Sequence, residues 1–252
     1  FASMSRITMS KIAIIIPSRL EAERLPNKPL KKINNKEMIL HVYELARNSG
    51  VGEVFVASPN DEILKCIKNN GGEAVKTSDK HKNGTDRVFE VFSNKLKSEA
   101  DYIINLQGDM PNLDKSALEI LAKHMTEKRP DVTTLASDLK KDEAEDPNIV
   151  KVITEKDINK DKFSKAKDFF RVNPAKNEQY IYHHVGIYGF TNKALIRYVS
   201  LDQSKLEVER KLEQLRALEN KMTIDVGYIN SSPLSVDTEI DLIEIKKKME
   251  NK

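Results

Sequence analysis

Ile12, Ala13, Ile14, Ile15 and Ile16 stand in succession, and no polar side chain interrupts them before Pro17. A run this short and wholly apolar reads as a strand buried on both faces, because a parallel sheet covered by helices needs no polar alternation. The loop beyond it, SRLEAERLPNKPL, carries Arg19, Arg24 and Lys28. Open α/β sheets place their ligand crevices at the carboxyl ends of strands. This stretch is therefore either a cradle for the phosphates of a nucleotide or a solvated charged turn, and by itself it leaves both open.

The rest of the chain repeats the alternation. Apolar residues at helical spacing mark 38–48, with Ser49-Gly50 as the stop. A short strand is expected at 53–57 and a helix over 61–70, ending at Gly71-Gly72. A strand follows at 74–76, a helix at 85–97, a strand at 102–106, a helix at 114–127 and a strand at 132–135. Strands alternating with helices imply βαβ units and a mainly parallel sheet. The pattern changes over 140–177, where a strand at 149–154 leads into a Lys- and Asp-rich stretch, and 140–190 is read as a smaller excursion from the main sheet. Order returns with the β-rich YIYHHVGIYGF, one amphipathic helix over 205–219, a strand at 222–226 and a closing helix over 238–249 capped by Asp237 or Thr238. Residues 1–10 are set aside as an N-terminal extension, in part a remnant of expression.

Composition narrows the function classes. The 252 residues carry 42 basic and 39 acidic side chains, a net charge of only +3, and the lysines are scattered among acids, which argues against nucleic-acid binding. A single cysteine, Cys66, excludes an internal disulfide and fits a reducing compartment. No apolar run approaches the roughly 18 residues of a membrane span, so a cytoplasmic protein is expected. The glycine-rich signatures of P-loop and dinucleotide-binding proteins are missing, as is a serine nucleophile elbow.

Four segments could carry chemistry. In DYIINLQGDMP an apolar strand ends at Gln107, Gly108 turns the chain, and Asp109 sits at the tip; an acid there could hold a divalent cation or merely serve a turn. NGTDR opens a helix with Thr85 or Asp86 as cap, where free N–H groups suit an anion, although a plain capped helix reads equally well. Asp237 precedes the last helix and reads first as its cap. His183 and His184 are adjacent in a strand and should face opposite ways, one toward core and one toward a cleft.

Taken together, IPSRLEAERLPNKPL, NGTDR, NLQGDMP, DPNIVKV, HHVGIYGF, LEQLRALE and VDTEIDL run nearly end to end in the order of one family. The chain resembles the CMP-Kdo synthetases, the 3-deoxy-manno-octulosonate cytidylyltransferases of Gram-negative bacteria. The first motif is shared with other sugar-acid cytidylyltransferases; the later ones are more particular to the Kdo enzymes. The resemblance implies a Rossmann-like, three-layer nucleotidyltransferase fold with a small dimerisation and sugar-binding subdomain. It implies a cytoplasmic homodimer that uses magnesium to transfer CMP from CTP to Kdo for lipopolysaccharide biosynthesis. Carried over by motif, Arg19 and Lys28 are triphosphate ligands with Arg24 in support, and Asp109 and Asp237 are magnesium carboxylates. Thr85, Asp86 and Arg87 contact the nucleotide. Gln107, His184, Tyr188, Glu213 and Gln214 fall where Kdo is expected.

Several positions depart from the family pattern. Asn27 stands in place of a glycine, and asparagine tolerates the left-handed backbone such a turn needs. Ala22 removes a serine hydroxyl, Met110 replaces an acid after QGD, Glu239 replaces a proline, and Lys165 replaces an arginine whose planar fork a lysine cannot reproduce. The alternatives are a cytidylyltransferase for a related sugar acid, such as amino-Kdo or a nonulosonic acid, and a catalytically idle nucleotide-binding protein. A glycosyltransferase would carry an Asp-x-Asp motif, which is missing here.

Overall fold

The computed structural model describes residues 11–159, 162–172 and 177–250; the expected extension over 1–10 lies outside them. The first half follows the alternation. β1 (Ile12–Pro17) leads through a 3₁₀ turn (Lys28–Leu30) and a small hairpin, β2 (Lys32–Ile33) and β3 (Lys36–Glu37), into α1 (Met38–Asn48). Then come β4 (Glu53–Ser58), α2 (Asp61–Asn69), β5 (Ala74–Lys76), α3 (Gly84–Glu90) continued by a π turn (Val91–Lys95), β6 (Tyr102–Leu106), α4 (Lys115–Lys128) and β7 (Val132–Asp138).

The unbroken apolar run of β1 has a direct physical cause. Ala13 and Ile15 pack on one face with Phe55, Ala57, Ile103, Val88 and Phe92, whereas Ile14 and Ile16 pack on the other with Val54, Val56, Ile104 and residues of α1, α2 and α4. Both faces of the strand are therefore interior, which gives the three layers.

The second half departs from expectation in four places. β8 (Lys151–Thr154) is followed by β9 (Phe163–Phe170), a strand formed by FSKAKDFF. β10 (Ile181–Thr191) enters antiparallel to β6, β7 and β8, so parallel pairing is confined to β5–β4–β1–β6 and to β7–β11. α5 (Asn192–Ser200) fills the connection after β10, and the single helix expected over 205–219 is two, α6 (Lys205–Arg210) and α7 (Leu215–Glu219). The break comes at Lys211, which adopts left-handed backbone at φ 55°. β11 (Ile224–Tyr228) and α8 (Glu239–Glu250) complete the chain.

One nine-stranded sheet results, in the order β5-β4-β1-β6-β10-β7-β11-β9-β8, with β8 also paired to β10. Tyr182 is flanked by Asp138 of β7 and Val152 of β8. The strands β10, β8, β9, β11 and β7 thus close into a ring of pairings at one end of the sheet. The segment read as an excursion is a curled continuation of that sheet, and ring closure removes the edge it would otherwise expose. A β-bulge between Val185 and Gly189 bends β10 where its partner changes from β8 to β6.

Candidate active site

The carboxyl ends of β1 and β6 lie side by side because the two strands are parallel and adjacent. The loop after β1 is tied down by the Leu20 N–H to Asn60 Oδ1 (3.0 Å) and closed on itself by the Asn27 N–H to the Leu20 carbonyl (3.2 Å). Asn27 holds the left-handed conformation, φ 59° and ψ 26°, and so preserves the turn expected of it. Leu25 of the loop packs with Ile33, Met38, Val236, Leu242 and Ile245, which fastens the loop to α8 and to the segment before it.

That segment reaches the β6 tip through two hydrogen bonds. The Val236 N–H donates to the Asp109 carbonyl (2.9 Å) and the Leu234 N–H to Asn112 Oδ1 (2.9 Å). Asp237 is not the cap of α8. Thr238 Oγ1 accepts from the Asp241 N–H (3.2 Å), and Asp241 Oδ2 accepts from the N–H groups of Asp237 and Thr238 (3.0 Å each), a reciprocal capping box. The Asp237 carboxylate is thereby left to face Lys28, whose Nζ lies 3.5 Å from Asp237 Oδ1 and 3.9 Å from Asp109 Oδ2. Burial and the neighbouring Asp237 charge raise the pKa of Asp109 above the usual carboxylate range, while Lys28 pulls the other way. Two carboxylates straddling one ammonium are a donor set for an oxygen-seeking cation. Met110, in place of an acid, is buried in the apolar floor below.

Around this point opens a cleft of about 270 Å³, lined by Arg19, Lys28, Arg87, Gln107 and Asp109 among the expected residues. Arg87 is 4% exposed; its Nε donates to Thr77 Oγ1 (3.0 Å) and its second terminal nitrogen reaches the Ser78 carbonyl (3.4 Å). Burial and the nearby Arg19 cation lower its pKa. Two guanidinium groups brought close form a seat for an anion. Arg24 is exposed and does not line the cleft. The helix cap expected at Thr85 or Asp86 is Asn83, which accepts from the Asp86 N–H (2.8 Å) and donates to the Asp86 carboxylate (3.2 Å), so Asp86 serves the cap. Gly84 makes this approach feasible, since a Cβ there would stand 3.2 Å from Pro17 Cγ.

The residues expected to face the sugar form a second group joined to the first by a chain of hydrogen bonds. Gln107 donates to Asn105 Oδ1 (3.2 Å), Asn105 reaches Thr85 Oγ1 (3.5 Å), and Thr85 donates to Glu213 Oε2 (2.7 Å). Burial raises the pKa of Glu213, against the hydrogen bond from Thr85. Tyr188 lies near Glu213, and burial with that charge raises its phenol pKa too. His184 is 7% exposed, with its ring 5.0 Å from Phe169 and 5.6 Å from Tyr188, and burial pushes its pKa down to about 3. His183 faces the other way and pairs with Glu143 (3.0 Å). Gln214 is buried at the start of α7.

Sequence reasoning passed over Ser18, Glu21, His81, Lys82 and Asn83 in the cleft wall, and Asn105 beneath it. Ser18, Glu21, Asn83 and Asn105 lie within the quoted motifs and His81 and Lys82 just before NGTDR, and that was the available signal. It also passed over the pair Glu207–Arg216, buried and bidentate (2.9 and 2.7 Å), which holds α6 against α7 and so presents Glu213 and Gln214.

The chain is similar to known proteins. A family model for cytidylyltransferases matches residues 13–224. The 3-deoxy-manno-octulosonate cytidylyltransferase of Paramagnetospirillum magneticum is 40% identical over 232 residues, 91% of this chain and 94% of its own. That of Bartonella quintana is 39% identical over 241 residues, 94% of this chain and 98% of its own. A solved structure of CMP:2-keto-3-deoxy-manno-octonic acid synthetase complexed with CTP superposes with a TM-score of 0.87 at 35% identity, covering 96% of this chain and 99% of its own. The chain belongs to the cytidylyltransferase family and, within it, to the 3-deoxy-manno-octulosonate cytidylyltransferases.

Proposed function

We propose that this protein transfers CMP from CTP to the anomeric 2-hydroxyl of Kdo (3-deoxy-D-manno-octulosonate), releasing pyrophosphate and supplying activated Kdo for lipopolysaccharide. The observation that carries the reading is the convergence of Lys28, Asp109 and Asp237 beside the Arg19–Arg87 pair, in a chain so similar to enzymes of that name. The sugar hydroxyl must approach the α-phosphorus opposite the departing pyrophosphate, and both reactants are anionic. Arg19 and Arg87 offer planar forks to phosphate oxygens, and Lys28 offers a point charge to the leaving group. Thr85 and Glu213, tied to Gln107 through Asn105, are assigned with Tyr188 and His184 to the sugar on this reading, which has the chain hold both reactants and gain rate by positioning and charge complementarity.

Asp109 and Asp237 suit magnesium, which takes one or two carboxylates, keeps waters and completes its shell with phosphate oxygens. When bound, magnesium neutralises phosphate charge and lowers the pKa of the attacking hydroxyl. The reading includes a homodimer in the cytoplasm; no described helix is long and apolar enough to cross a membrane. Sedimentation velocity tests the dimer and cell fractionation the location.

The deciding experiment is pyrophosphate release from CTP with Kdo and magnesium. Release with Kdo supports the reading. Release only with another sugar acid from a panel moves the assignment to that acid, and CTP binding without release from any acid overturns it.

A further inference from the structure

Thr134 sits in β7 opposite the bulge of β10, fully buried, and its hydroxyl has three neighbours. Oγ1 lies 2.6 Å from the Ile187 carbonyl, 3.3 Å from the Val185 carbonyl and 2.9 Å from His184 Nε2. A hydroxyl has one proton and carbonyls only accept. At 2.6 Å the Ile187 oxygen must receive that proton, since two unprotonated oxygens so close would repel. The imidazole nitrogen is then left with only one role toward Oγ1, that of donor.

We propose that Thr134 is a positioning residue that locks His184 in the neutral Nε2–H tautomer, so that Nδ1 offers a lone pair to a hydroxyl group of the sugar. The proposal rests on the reading of the site as a sugar-acid cytidylyltransferase and names one element of its selectivity. Nδ1 has no hydrogen-bond partner among the described residues, and it is not among the buried polar atoms left unpaired there. It therefore keeps some contact with solvent and an unused lone pair. The surroundings keep the ring neutral: Phe169 and Tyr188 pack against it, and the adjacent His183 opposes a second positive charge. A neutral acceptor at this point selects a substrate O–H and gives nothing to a carboxylate, whose recognition must fall to other residues. The same Thr134 hydroxyl ties the Ile187 carbonyl into the bulge, so ring orientation and strand geometry are set by one group.

The test is ¹⁵N NMR of the wild-type protein labelled at histidine, with His184→Gln used to assign the signal. A protonated Nε2 and bare Nδ1, unchanged between pH 8 and 5, support the proposal; an Nδ1–H tautomer or titration in that range overturns it, whether or not the protein turns over Kdo. Pyrophosphate release by the wild type checks the underlying reading separately. Among variants, Thr134→Val should raise KM for the sugar about tenfold or more with KM for CTP unchanged, and Thr134→Ser should restore it. A folded Thr134→Val protein with wild-type sugar KM, or a Ser variant no better than Val, overturns the positioning role. If Thr134→Val does not fold, the comparison of Ser with wild type and the NMR tautomer decide.

Discussion

At the scale of single residues, the site turns on how few partners Asp109 and Asp237 have. Asp237 is released from capping by Thr238 and Asp241, and both carboxylates share the one ammonium of Lys28. Burial works against the charged form of Asp109, so its carboxylate does little for the fold. Asp109→Ala and Asp237→Ala are each expected to lower the rate of pyrophosphate release by roughly 10²-fold or more, the scale of lost transition-state charge stabilisation, with unfolding midpoints near wild type. A variant with near-normal turnover would remove that carboxylate from the site. Asn27 gives a prediction of another kind. Its left-handed backbone is tolerated by asparagine and glycine but costs a β-branched residue about 1–2 kcal/mol. Asn27→Gly should therefore leave urea stability within a few tenths of wild type, and Asn27→Val should lose about 1–2 kcal/mol and weaken CTP binding through Lys28.

At the scale of elements, what could be read from the chain depended on whether a pattern was local. β1, α1, β4, β6 and α4 were legible because their apolar periodicity is continuous and their stops are written in Gly, Pro or capping residues. β9 was not, because FSKAKDFF places lysines on an exposed face and only pairing with β8 and β11 makes it a strand. The split between α6 and α7 was hidden as well: 205–219 keeps a helical period across Lys211, and the break is imposed by the buried Glu207–Arg216 pair and the turn carrying Glu213. The same contrast holds in the site. Arg19, Lys28 and Asp109 announced themselves at strand ends, whereas Thr134 is an ordinary strand threonine until β10 bulges beside it. The Glu207–Arg216 pair carries a prediction. Both side chains are about one-twentieth exposed, so Arg216→Leu strands an uncompensated buried carboxylate and should cost about 3–5 kcal/mol in urea denaturation. Restoring apolar complementarity with Glu207→Leu in the same chain should recover most of that loss. Equal stability of the single variant and wild type would show that the pair does not hold the two helices.

At the scale of the whole molecule, joining two half-sites across one sheet buries ionisable groups whose effects on stability have opposite signs. His184 is held unprotonated down to about pH 3, whereas an unfolded histidine titrates near 6.5. Between those values the unfolded chain carries a proton the folded one lacks, so acidification favours unfolding and stability falls as pH drops through 6.5. His183, whose pKa burial also lowers against the pull of Glu143, adds to the same trend. Glu213 and Asp109, with raised pKa values, act oppositely: the folded state takes up protons first, and acidification through their range favours folding. The net slope is a difference between these groups, so the informative quantity is the comparison of wild type with His184→Gln, in which the other contributions cancel. Between pH 7 and pH 5 the wild type should lose about 2 kcal/mol more unfolding free energy than the variant, from roughly 1.4 kcal/mol for each pH unit below 6.5. Urea denaturation at the two pH values measures it. Parallel losses in both proteins would mean that His184 titrates in the folded state, and the neutral acceptor proposed for this ring would go with it.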